Sequence, residues 1–97
     1  MKNLQKVEII TEKRSIDLII EIIEKHGVTG YTLIPKVTGK GKRGIKHGDD
    51  LNDVFVNSML ITVCEEATAE AIAKDIKVFF QDISGVCFVT DVKYVVH

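Results

Sequence analysis

Apolar and polar side chains alternate near the start of the chain: Val7, Ile9 and Ile10 are β-branched, with Lys6 and Glu8 set among them. Leu4 to Thr11 therefore reads as a strand. The period then changes. Ile16, Ile19, Ile20 and Ile23 stand at i, i+3, i+4 and i+7, the apolar stripe of a helix, while Asp17, Glu21 and Glu24 face elsewhere. Lys25 and His26 suit the negative end of that helix, and Gly27 suits a left-handed stop. Val28 to Val37 reads as a second strand. Its Pro35 has no amide proton and belongs at a sheet edge or near the strand end. Phe55 to Val63 reads as a third strand, with Phe55, Asn57, Met59, Ile61 and Val63 on one face. Thr68 is the expected N-cap of a second helix. Its stripe is Ile72, Ile76, Phe79, Phe80 and Ile83, and Ser84-Gly85 ends it. Val86 to Val96 is the last strand.

The order β-α-β-β-α-β, closed by right-handed crossovers onto one antiparallel sheet, is the α+β ferredoxin-like arrangement. The 97 residues fit a single domain spanning 1–97. Apolar residues are 45% of the chain but aromatics only 6%, so the core is aliphatic. A domain this small gains further burial by oligomerising. The formal charge of -1 offers no overall field for nucleic acid or an anionic membrane. Cys64 and Cys87 form no CxxC pair and sit in apolar runs, as small core residues do. No apolar h-region opens the chain, and no run reaches the ~18 residues of a membrane span. The expected location is the cytoplasm, with no direct membrane insertion.

The connection between the second and third strands is out of proportion. It runs from Lys36 to Asp53, where a hairpin needs only ~2–5 residues. It holds Gly39, Gly41, Gly44 and Gly48 with Lys36, Lys40, Lys42, Arg43 and Lys46, and then Asp49, Asp50 and Asp53. Glycines let several backbone amides turn toward one anion, and adjacent cations add charge, so phosphate is the natural guest. The plain alternative is a solvated loop whose charges serve solubility. Gly39 to Gly44 matches G-x-G-x-x-G, but no helical pattern follows, so the dinucleotide-binding meaning fails. Ile45 after Gly44 rules out a Walker A motif.

Several short stretches then resemble one family. Gly27-Val28-Thr29-Gly30-Tyr31-Thr32 resembles the G-x-T-G-x-T signature of PII signal-transduction proteins. Gly39-Lys40-Gly41-Lys42-Arg43 is similar to the start of the PII T-loop, and Phe88-Val89-Thr90-Asp91-Val92 to the F-V-x-D-V of the final strand. Ile10-Thr11-Glu12-Lys13 and Phe79-Phe80-Gln81-Asp82 with Gly85 resemble more closely the PII-like proteins linked to inorganic carbon, of the SbtB and carboxysome-associated types. The resemblance implies a homotrimer that binds an adenine nucleotide in clefts between subunits and signals to a partner through the 36–53 T-loop. It puts Gly30 and Thr32 on the adenine side and Gly39, Lys40, Gly41, Lys42 and Arg43 at the phosphates. The expected mechanism is a disorder-to-order switch of that loop.

Two departures narrow the ligand. Gln81-Asp82-Ile83-Ser84-Gly85 stands where nitrogen-regulatory members carry a glycine- and lysine-rich triphosphate grip, and it holds no cation. The arginines that follow the last strand in those members have no counterpart before His97. ADP or AMP is therefore expected as the regulatory ligand, with bicarbonate as a candidate second ligand and a bicarbonate or other anion transporter as the candidate partner. No cofactor is expected.

Other readings of this topology explain less. An enzyme lacks a nucleophile or carboxylate constellation, since Asp49-Asp50 is ordinary turn chemistry. A CutA-like metal-binding trimer would draw on His26, His47, His97, Cys64 and Cys87, which have no ligand spacing. An RNA-binding sheet needs stacked aromatics, and Val56-Asn57-Ser58-Met59-Leu60-Ile61 supplies none. An ACT-like small-molecule sensor leaves the basic loop unexplained. Tyr31 and Phe88 read as strand aromatics of the core.

Overall fold

Side chains alternate across the first strand, β1 (Lys2–Glu12), so that Val7, Ile9 and Thr11 share one face and are fully buried there. The structure, a computed structural model, describes residues 1–40 and 56–96. A 3-10 turn (Lys13–Ser15) leads into α1 (Ile16–Lys25), which lays Ile16, Ile19 and Ile23 over those strand residues. Then come β2 (Thr32–Val37), β3 (Asn57–Cys64), α2 (Glu66–Phe79) and β4 (Gly85–Tyr94). The sheet order is β2-β3-β1-β4 and every pairing is antiparallel. That is the ferredoxin-like fold, with both helices on one face. Leu60, Ala69, Ile72 and Ile76 complete the core. Each fully buried Ile or Leu contributes about 1.5–3 kcal/mol.

Gly27 stops α1 as its position predicts. Its φ is +86°, its N–H donates to the Glu24 carbonyl at 2.9 Å, and the Val28 N–H donates to the Ile23 carbonyl at 3.2 Å. This is a Schellman stop, in which the residue after the glycine packs back onto the helix. Val28 does so and is buried beside Ile23. The second strand consequently starts at Thr32, not at Val28. β2 is an edge strand, and a register shift between Ile34 and Val37 accommodates Pro35. The third strand runs one residue beyond its expected end, to Cys64, while Phe55 lies outside the described residues. The second helix is capped at Glu65 rather than Thr68. The Glu65 carbonyl already accepts the Ala69 N–H at 2.9 Å, which puts Thr68 inside the first turn. Ile83 lies past the end of α2, in the turn to β4.

Three hydroxyls on the core face of β1 and β3 each donate to a backbone carbonyl, two of them in turns and one at the register shift of β2. Thr11 donates to Ser84 (2.9 Å), Ser58 to Pro35 (2.7 Å) and Thr62 to Gly30 (2.7 Å). The opposite face of the sheet carries no described helix. Ile10, Ile34, Met59, Ile61, Val63, Val86 and Phe88 lie across it by register. Phe88 is 54% exposed and Tyr31 41%, so neither aromatic belongs to the core of the single chain.

Two glycines carry opposite constraints. A Cβ at Gly27 meets nothing, so Gly27→Ala costs only the left-handed backbone, about 1–2 kcal/mol. A Cβ at Gly85 would run into the Phe80 ring and lie 2.8 Å from the Ile10 carbonyl oxygen, so Gly85→Ala costs about 1–3 kcal/mol by crowding. Thermal unfolding should show both midpoints lowered by several degrees. An unchanged midpoint for Gly27→Ala would mean the turn relaxes out of the left-handed region.

Candidate functional site

Gly30 and Thr32 flank the entry into β2, at the end of the sheet where β1 begins and where β3 and β4 finish. There the chain leaves a cavity of about 620 Å3, whose wall includes His26 to Thr32 of the α1–β2 turn. Ile61 to Cys64 of β3, Glu65 and Thr68 at the start of α2, and Lys2, Leu4 and Tyr94 close it. The turn follows a helix that Gly27 terminates abruptly, so its backbone is short, irregular and largely exposed. The Thr62 hydroxyl satisfies the Gly30 carbonyl and fixes the turn's height above β3.

The charges at this end are paired among themselves. Lys2 Nζ lies 2.9 Å from Glu65 Oε1. Asp75, on α2, receives His26 Nε2 at 2.7 Å and Lys25 Nζ at 3.0 Å on the same oxygen. The His26 hydrogen bond foremost, and Lys25 after it, hold the Asp75 carboxyl below the ordinary carboxylate range. The free Cys64 thiol in the cavity wall is pushed up by burial and then by Glu65, so it stays protonated near neutrality. Burial alone pushes the free Cys87 thiol up to about 11. Among the described residues no group of three or more His, Cys, Asp or Glu side chains is arranged to hold a metal ion.

Gly39 and Lys40 lie past the other end of β2. Leu33 to Val37 of β2 and then Thr38 separate the two groups, a distance on the order of 20 Å at ~3.3 Å per residue. Gly30 and Thr32 are thus brought together, but Gly39 and Lys40 of the same chain are not brought to them. At that second end the Lys13 N–H donates to the Val56 carbonyl at 2.8 Å, and Thr11 holds Ser84, so the β1–α1 and α2–β4 turns meet near the base of the long connection. Gly41, Lys42 and Arg43 lie outside the described residues. Sequence reasoning did not find Thr62, Asp75, Lys2 or Glu65. Thr62 carried a signal, as a polar residue in the same alternation as Leu60, where a core face calls for apolar side chains. His26 and Asp75 are 49 positions apart and carried none.

Among the described residues no helix is long and apolar enough to cross a membrane. The family model of nitrogen regulatory protein P-II matches residues 4–97. Among solved structures, CPII, a nitrogen regulatory PII-like protein from Thiomonas intermedia K12, bound to ADP, AMP and bicarbonate, is 30% identical. It superposes with a TM-score of 0.81 over 94% of this chain and 87% of its own. The apo form of CPII is similar at 26% identity and a TM-score of 0.78, over 94% of this chain and 90% of that one. The GlnK–ATP complex of B. subtilis, 23% identical, shares the fold with a TM-score of 0.67 over 93% of this chain and 82% of its own. A match that runs from the first strand to the last residue means that this chain belongs to the nitrogen regulatory protein P-II family.

Proposed function

We propose that the protein is a PII-like sensor of ADP or AMP, assembled as a homotrimer, with the nucleotide in clefts between neighbouring subunits. The observation that carries this reading is the likeness over nearly the whole chain to CPII bound to ADP, AMP and bicarbonate. The geometry supports an intersubunit site. Gly30 and Thr32 stand too far from Gly39 and Lys40 of their own chain to share one nucleotide, so a neighbour must supply the second half. The exposed apolar face of the sheet, with Ile34 (39%), Val86 (46%) and Phe88 (54%), offers the surface that neighbours would bury.

In this assembly Gly30 and Thr32 take the adenine side, while Gly39, Lys40, Gly41, Lys42 and Arg43 take the phosphates. Glycine backbones allow close approach, and Arg43 offers a planar fork for phosphate oxygens. Bicarbonate is a candidate second anion for the same loop. The stretch Gln81 to Gly85 holds no cation, which favours ADP and AMP over ATP. Nucleotides differing in phosphate count hold the 36–53 loop differently, and this differential affinity is the signal to a partner, with an anion transporter as the candidate. The role is regulatory, not catalytic.

Light scattering at micromolar concentration should give the mass of three chains, and a monomer would remove the shared cleft. Calorimetric titration with ADP, AMP and ATP, each with and without bicarbonate, should give one nucleotide per chain, with ATP weakest. Arg43→Ala should weaken ADP binding by about tenfold or more, as loss of a charged hydrogen bond of ~1.5–3 kcal/mol requires. Unchanged affinity would remove Arg43 from the phosphate site.

A further inference from the structure

The bare face of the sheet is apolar except at its middle. Val7 and Ile9 of β1 point into the core, so Lys6 and Glu8 alternate onto the side that carries no described helix. By register Glu8 stands between Ile61 of β3 and Phe88 of β4, and Lys6 between Val63 and Thr90. Ile10, Met59 and Val86 form the next row. The other charges that β1 places on this alternation are committed at its two ends, Lys2 to Glu65 and Glu12 to Arg14. Lys6 Nζ lies 3.5 Å from Glu8 Oε1, and the two side chains are 37% and 23% exposed in the single chain. An ammonium has three protons to give and a carboxylate about four lone-pair sites to fill, so one contact leaves most of this capacity to water.

That water is lost when another copy covers the face. A charge carried into an apolar contact is costly unless an opposite charge answers it. Copies docked with Lys6 of one chain against Glu8 of the next keep both charges paired around the ring. Copies slipped along the strands set the same charges against Ile61, Val63 or Phe88, which offer them nothing. We infer that the Lys6–Glu8 pair sets the register of the assembly, by pairing across each contact between copies, and so selects the docking that brings the Gly30 turn of one chain to the Lys40 end of its neighbour. This rests on the trimer proposed above and adds the residues that fix its geometry. The apolar rows attract another copy in any register, whereas the charges penalise all registers but one.

Light scattering and calorimetry with ADP test this on two kinds of variant. Lys6→Met with Glu8→Leu removes both charges and keeps the side-chain bulk. These chains should still associate, with a thermal midpoint no lower than wild type, but their mass should spread over several species and bound ADP should fall well below one per chain. A single trimer with full ADP stoichiometry would overturn the register role. Glu8→Lys alone and Lys6→Glu alone put like charges at every contact, and each should dissociate at a concentration at least about tenfold higher than wild type. Mixing the two should restore assembly, because unlike charges then meet across most contacts. No gain on mixing would overturn the pairing between chains. Either negative result with a trimeric wild type leaves the sensor reading standing, and a monomeric wild type would overturn the inference and the trimer together. If a trimeric wild type binds no ADP, the nucleotide reading falls while the masses still decide the register.

Discussion

Three hydroxyl-to-carbonyl hydrogen bonds hold this small domain's connections to its sheet. Thr11, Ser58 and Thr62 occupy core-face positions where an aliphatic residue would bury more apolar area. Each instead satisfies a carbonyl where the chain is irregular: Ser84 before β4, Pro35 at the register shift of β2, and Gly30 in the turn before β2. Each such bond contributes about 0.5–1.5 kcal/mol, so the central strands supply part of what holds these segments against the sheet. Both ends of the sheet depend on this. The Thr62 bond sets the turn over the cavity, and the Thr11 bond sets the α2–β4 turn near the base of the long connection.

The same economy explains the bare sheet face. Two helices on one side of four strands make a single core of Ile, Val, Leu and Ala. Among the described residues no third layer covers the other side. The apolar residues there, Ile10, Ile34, Met59, Ile61, Val63, Val86 and Phe88, form a partly exposed face of the kind that contact between copies buries. In the trimer proposed above, that burial would also bring the two ends of neighbouring chains towards one ligand.

The fold was readable because period 2 and period 3.6 alternate cleanly along the chain, and because Gly27 and Pro35 each have one structural use where they stand. Boundaries were less readable, for identifiable reasons. Val28 looks like the first residue of a strand, yet a Schellman stop folds it back onto Ile23. Thr68 is a good capping residue, but the sharp turn at Glu65 begins the helix earlier, so its hydroxyl falls within a turn already formed. Tyr31 and Phe88 read as core aromatics because sequence pattern does not distinguish the sheet face covered by helices from the one they leave bare, where Phe88 lies, nor a strand from the turn that holds Tyr31. Gly30 and Thr32 are singled out by a short motif. Thr62, whose hydroxyl holds the Gly30 carbonyl, stands 32 positions away, and only the packed chain brings the two together.

A sensor of this kind must keep its ligand site ordered enough to discriminate, yet connected to something that can respond. On the proposed reading the two requirements fall at opposite ends of β2. The end assigned to adenine is built from short segments whose charges are paired, Lys2 with Glu65 and His26 and Lys25 with Asp75. The end assigned to the phosphates leads, past Lys40, to the glycine-rich stretch of sequence with Lys42 and Arg43, whose charge a guest would compensate. A base and ribose held the same way in every guest contribute uniform affinity, so the number of phosphates becomes the variable. With neighbouring chains providing the two ends, as proposed, each nucleotide would also bridge an interface, and its phosphate count would be felt by two subunits at once.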